Sequence, residues 1–161
     1  MLVLDGISDP GNMGSLIRSA VSFDVHSIVI IGGCDIWSPK VIRSSMGSIL
    51  GTRIIELESW TELDAQMSRL GQEHPSLAPA LFLADGGEQS VSVHSCDFPG
   101  AGCCFLAVGS EAFGLSREAR QVAARRRGVF VKIPISARVE SLNAAIAGSI
   151  ILSEIKRQHS L

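Results

Sequence analysis

The chain repeats one pattern from end to end: a short run of consecutive apolar residues, then a stretch with helical spacing. The runs are "LVLDGI" (2–7), "SIVIIGG" (27–33), "RIIELE" (53–58), "ALFLAD" (80–85), "CFLAVG" (104–109) and "VFVKIPI" (129–135). A strand with one face in water alternates apolar with polar residues. Most of these runs are apolar at successive positions, which requires cover on both faces. Helix candidates lie between them near 13–23, 39–49, 60–70, 116–125 and 141–157. The pattern predicts an α/β fold, with a mostly parallel six-stranded sheet and helices on both faces. "GQEHPSLAP" (71–79) reads as a loop and "GGEQSVSVHSCDFPGAG" (86–102) as a long connection. A length of 161 residues suits one domain with a real core. The first residues form a core-like strand with no signal-peptide pattern, so a natural N-terminal extension is expected to be missing.

Charged residues make up 19% of the chain, below the roughly 25% of an average domain. With a mean hydropathy of +0.31, this predicts apolar surface left over for a partner chain. No apolar run approaches the ~18 residues needed to cross a membrane. A net charge of −2 and a pI near 6.1 argue against unaided binding of nucleic acid through bulk electrostatics, though not against a local basic patch. Arg125-Arg126-Arg127 is the one short basic run, and it fits either a solvated helix end or an RNA contact. Cys34, Cys96, Cys103 and Cys104 lack CxxC spacing and the histidines are scattered, so no metal is expected. Free thiols fit a reducing compartment: the cytoplasm, or a mitochondrion or plastid if an upstream targeting segment has been removed.

In such folds ligands sit at the carboxyl edge of the sheet, where strands end and helices begin. Three such places gather polar residues. The first, "DPGNMGSLIRSA" (9–20), is neither a P-loop nor a dinucleotide fingerprint. Asp9-Pro10-Gly11-Asn12 reads as a turn. Leu16, Ile17 and Ala20 can face the core, while Arg18 points elsewhere in what reads as the helix's first two turns. A cation there opposes the helix dipole, and binding an anion would explain it; a solvated or salt-bridged arginine is the ordinary alternative. The second, "FLAVGSEAFGLSREA" (105–119), puts Glu111 at a strand's carboxyl end and Ser116 at a helix N-cap. Glu111 either positions a reacting group or bonds the N–H groups of its own turn. The third, "VKIPISARVESLNAAIAGSIILSEIKRQ" (131–158), has Ser141 as its ordinary cap and Asn143 inside the first turn. The small residues that follow allow close helix approach.

Together and in this order, the three segments resemble the SpoU (TrmH-like) branch of the SPOUT RNA methyltransferases. "LDGISDPGNMGSLIRSA", "VGSEAFGLS" and "IPISARVESLNAAIAGSIILSE" look like its three motifs, and "SPKVIRSSMGS" like its stretch after the second strand. The resemblance covers nearly the whole chain. It implies transfer of a methyl group from S-adenosylmethionine to a ribose 2′-hydroxyl of rRNA or tRNA, a C-terminal trefoil knot, and a homodimer with its active site completed across the interface. It also implies catalytic roles for Asn12, Arg18, Glu111, Ser141 and Asn143, and cofactor contacts at Gly109, Ile133 and Leu142. Asn12 and Arg18 would then face the RNA, with Arg18 clamping a phosphate, since a guanidinium does not act as a base at neutral pH. Two departures bear on pocket shape: Ala112-Phe113 follow the glutamate where the family usually has glycine next, and Ala137 replaces another glycine. They leave open an alternative, a catalytically inactive SPOUT-like RNA-binding or dimerisation module.

Overall fold

The computed structural model describes residues 1–99 and 103–159. Its strands are β1 (Leu2–Asp5), β2 (Ile28–Ile31), β3 (Ile54–Leu57), β4 (Ala80–Ala84), β5 (Val91–Ser92), β6 (Cys104–Gly109) and β7 (Val129–Lys132). They form one sheet in the order β3-β2-β1-β6-β4-β7-β5, with every strand pair parallel. The helices are α1 (Pro10–Ser22), α2 (Pro39–Ser44), α3 (Trp60–Glu73), α4 (Arg117–Arg126) and α5 (Ala144–His159). One apolar layer joins Leu2, Leu4, Ile28, Ile30, Leu106 and Val108 to α1 and α5. The other joins Val3, Val29, Phe105 and Ala107 to α3 and α4. Both faces of the central strands are therefore covered, as their unbroken apolar runs predict.

The sheet has seven strands rather than six. The extra strand, β5, lies within the predicted long connection, of which residues 100–102 fall outside the described residues. That connection also carries core residues. Val93 and Phe98 are buried, and the Phe98 ring meets Phe82 at 4.8 Å between centroids. Gln158 of α5 holds the segment by donating to Cys96 O and accepting from Phe98 N–H, each at 3.0 Å. Two residues of pairing leave too short a pattern to read as a strand.

Among the first three helices, three boundaries differ from expectation. α1 begins at Pro10, because Asp9 caps it by accepting the Asn12 N–H at 2.9 Å and proline suits the first helical position. The Asp-Pro-Gly-Asn stretch is thus a helix start rather than a turn. Arg18 consequently lies in the third turn, where the dipole argument no longer applies. α2 stops at Ser44, Met46 and Gly47 adopt positive φ, and a short 3-10 turn covers Ser48–Gly51. α3 runs on to Glu73, so the predicted loop at 71–79 begins late and includes a 3-10 turn at Pro75–Leu77.

Tight helix contacts set the geometry of this layer. A Cβ on Gly14 would lie 1.9 Å from Ser44 Oγ and 2.7 Å from the Ser45 backbone nitrogen. Ser44 Oγ in turn donates to Pro10 O at 2.9 Å, tying α2 to the start of α1. On α5, a Cβ at Gly148 would lie 2.5 Å from Leu16 Cδ2, and Ser149 Oγ meets Ser19 Oγ at 2.7 Å. The small residues of α5 therefore allow the close approach expected of them. Gly14→Ala is expected to destabilise the fold by roughly 1–3 kcal/mol, because backbone cannot yield and overpacking outweighs a helix-propensity gain of about 1 kcal/mol. Gly148→Ala should cost less, since the end of a leucine side chain can move; urea unfolding of both variants checks the order.

Candidate active site

At the carboxyl edge, Asp5 closes β1 and pairs in register with Ile31 of β2 and Gly109 of β6. Its side chain is buried, and among the described residues it is held by hydrogen bonds and by no ion pair. Trp60 Nε1 of α3 donates to Oδ1 at 2.9 Å, and the Ser116 N–H donates to Oδ2 at 2.7 Å. Ser116 is the N-cap of α4, as predicted, and accepts the Ala119 N–H. Asp5 thereby fixes the end of the loop that follows β6. That loop folds onto the strand through paired backbone bonds, Ser110 N–H to Gly114 O at 3.0 Å and Gly114 N–H to Ser110 O at 2.8 Å. A Cβ on Gly109 would lie 2.3 Å from Gly114 C, so only glycine admits this turn.

The turn presents Glu111, and three distant loops meet there. Asn143 Nδ2 donates to Asn12 Oδ1 at 2.9 Å and to Glu111 Oε1, which also accepts the Ala144 N–H at 3.3 Å. Asn143 Oδ1 accepts the N–H groups of Ala145 and Ile146. Asn143 is therefore the cap of α5, and the helix starts at Ala144 instead of 141. This corrects the expectation that Ser141 caps it. The carboxylate of Glu111 sits against the positive end of α5, a favourable placement that serves a different segment from its own turn. Asn143 spends its bonding capacity on the loops. Asn12 Nδ2 and Glu111 Oε2 have no partner among the described residues and can take a ligand.

Beside this trio lies a cavity of about 350 Å³, lined by Gly109, Glu111, Ile133, Ser141 and Leu142 among others. Three sequence-predicted cofactor residues and two predicted catalytic residues thus share one wall. Ala137 lines it as well, whereas Ala112 and Phe113 are exposed outside it and do not narrow it. Arg18 is not brought to the trio. It lies six residues beyond Asn12 on α1, about 9 Å along the axis and on another face. It is exposed, with no ion pair among the described residues. A larger cavity of about 620 Å³ at the opposite end, around Met1, Arg53 and Cys104, is remote from these groups.

Charges elsewhere have structural work. Arg125 and Arg126 both pair with Asp64 of α3, and Arg127 adopts a left-handed conformation at the α4 C-cap, so the basic run joins α4 to α3. All four cysteines are free, and burial raises the Cys104 thiol to about 11, leaving it protonated near neutrality. Hydrogen bonding from the Asn12 N–H, opposed by slight desolvation and aided by Lys40, lowers the Asp9 carboxyl below its usual range. Among the described residues no group of three or more His, Cys, Asp or Glu could hold a metal ion. Sequence reasoning missed Asp5 and Trp60. A lone acid closing an apolar run was the available signal.

Comparison with known proteins gives a consistent result. The SpoU rRNA Methylase family matches residues 1–153. The mitochondrial rRNA methyltransferase 3B of Danio rerio is 30% identical over 204 residues, covering 98% of this chain and 46% of that protein. The 23S rRNA (uridine(2479)-2'-O)-methyltransferase of Streptomyces viridochromogenes is 30% identical over 158 residues, covering 98% and 52%. The crystal structure of the SpoU methyltransferase AviRb from Streptomyces viridochromogenes, in complex with AdoMet, superposes with a TM-score of 0.84. Its sequence is 30% identical, and the match covers 99% of this chain and 60% of that one. The chain spans about half the length of the curated relatives it matches.

Asp5→Ala strands the buried Trp60 indole N–H and the partly buried Ser116 N–H, and is expected to destabilise the fold by about 3 kcal/mol. Asp5→Asn keeps one acceptor and should lose roughly half as much. The urea midpoints of the two variants, at unchanged m, measure this.

Proposed function

The chain belongs to the SpoU rRNA methylase family, and from that premise we propose that it is an S-adenosylmethionine-dependent methyltransferase acting on a ribose 2′-hydroxyl of rRNA or tRNA. One observation carries the reading: Glu111 belongs both to the cavity wall and to the Asn12–Glu111–Asn143 trio, so a ligand site and an acceptor site share a border. The cavity volume of about 350 Å³ falls within the ~300–1,000 Å³ of small-molecule sites, and its apolar walls beside exposed polar groups suit a nucleoside. We assign Gly109, Ile133 and Leu142 to hold the cofactor. When bound, S-adenosylmethionine supplies a methyl group already activated as a sulfonium.

The residues of the chain then have to hold the acceptor oxygen in line and ease loss of its proton. Asn143 fixes the three loops. Asn12 uses its free Nδ2 to orient the sugar, and Ser141 steadies the cavity rim. Glu111 Oε2 accepts the hydroxyl proton. Arg18 clamps the adjacent phosphate, and its permanent charge favours the developing alkoxide. Since Arg18 leaves α1 away from its own trio, it serves the site of a second copy. Ile146 and Ile150, exposed one turn apart on α5, and Val21 on α1 supply apolar surface for that homodimer.

The trefoil knot and the single catalytic domain over 1–161 belong to the same proposal. In support, β7 lies beyond β4, yet α5 returns to pack on α1 and β6, so residues 133–143 bring the chain back over the sheet edge. A reducing compartment suits the four free thiols, and the Danio rerio relative is named mitochondrial.

Calorimetric titration of the chain with S-adenosylmethionine should show one site per protomer, and Ile133→Arg should abolish binding without unfolding the chain. Saturable binding retained by that variant would move the cofactor out of this cavity. Arg18→Ala should lower methyl transfer by ~10²-fold or more while leaving cofactor affinity unchanged. Mixing Arg18→Ala with Glu111→Gln chains should restore about a quarter of wild-type activity, because half of the dimers then carry one intact composite site. No recovery from verified mixed dimers would place Arg18 in the site of its own chain.

A further inference from the structure

Phe113 is 91% exposed, more than any other large apolar side chain described; Leu50 and Met46 follow at 73% and 72%. Isolated apolar side chains on a surface are ordinary, but the placement of this one is not. It rides on the turn closed by the Ser110–Gly114 bridge, and its own N–H donates to Ser110 Oγ at 3.2 Å. The turn packs so closely on Gly109 that a Cβ there would lie 2.3 Å from Gly114 C. Phe113 stands two residues from Glu111, within about 7 Å along the chain. It does not line the cavity assigned to the cofactor. The result is a bare aromatic face held beside the trio that receives the acceptor.

We propose that Phe113 is a stacking platform for an unpaired RNA base next to the target nucleotide, so that the substrate is a loop or single-stranded segment rather than a continuous helix. This rests on the methyltransferase reading above. Three physical points carry it. A net charge of −2 gives the chain little bulk attraction for phosphates, so affinity needs a contribution that is not electrostatic. Stacking on an aromatic ring supplies one, and it replaces the base-base stacking lost when a nucleotide leaves a helix. The local charges fit as well. Arg117, the first residue of α4, and Arg138, in the loop after β7, are exposed and without ion pairs among the described residues, and can meet the backbone of a strand whose base lies on Phe113.

The test is fluorescence anisotropy of the full chain, loaded with S-adenosylmethionine, against two probes. One is a short unstructured RNA strand carrying fluorescein, and the other is the same strand annealed into a duplex. Phe113→Ala and Phe113→Leu should each weaken binding of the single strand about tenfold, and Phe113→Trp should retain it. Duplex affinity, cofactor affinity and the slope of affinity against salt should stay unchanged. The proposal is overturned if Phe113→Ala binds the strand as wild type does. It is equally overturned if Phe113→Leu suffices, which would mean plain apolar packing, or if Phe113→Ala sediments as a monomer, which would mean that the ring covers a second copy. Methyl transfer by the wild-type chain separates the two readings. Transfer with undiminished Phe113→Ala affinity removes the platform alone, whereas no transfer to a total RNA pool removes the parent reading.

Discussion

The structure turns on a buried carboxylate that has no ion pair among the described residues. Asp5 ends the central strand, and its two oxygens are satisfied by the indole N–H of Trp60 and the backbone N–H of Ser116. Leaving such a charge unmatched in the interior would be costly, so these bonds join β1, α3 and α4 into one unit. Their position matters more than their strength. By holding Ser116, Asp5 sets where the loop after β6 must end, and the bare Gly109 sets where it must begin. Glu111 lies between those two anchors, presented at the sheet edge, where its Oε1 accepts from Asn143 and from the Ala144 N–H.

The second determinant is how closely α1 approaches α2 and α5. Gly14 against Ser44, and Gly148 against Leu16, bring the backbones near enough for Asn12 and Asn143 to touch. The three polar side chains then divide the work. Asn143 is consumed by holding the loops together, which leaves Asn12 and Glu111 each with one polar group unpartnered among the described residues. Fixing these groups by hydrogen bonds made before any ligand arrives lowers the ordering cost of binding.

The sequence was most legible where chemistry is local. Ser116 capping α4, the buried stripe of Leu16, Ile17 and Ala20, and the apolar strands could be read directly. Legibility failed where two local signals compete. Asp9-Pro10 is both a turn signal and a helix-start signal, and the choice of turn misplaced Arg18 by a helical turn. Ser141 and Asn143 are both capping residues, and the contacts of Asn143 with Glu111 and Asn12 decide between them. Arg125 and Arg126 looked free because their partner, Asp64, lies on another helix.

The sequence by itself determined the α/β class, the positions of six strands and the residue types gathered at the three loops. Those properties follow from burial on both strand faces and from turn and cap chemistry within a few residues. Only the tertiary structure decided the strand order, the seventh strand, the bonding of Asn143 to residues 131 and 32 positions away, and the exclusion of Arg18 from that cluster. Contacts at such separations leave no periodic trace in a chain. They are set by the register of a parallel sheet, which brings the ends of distant strands to one edge.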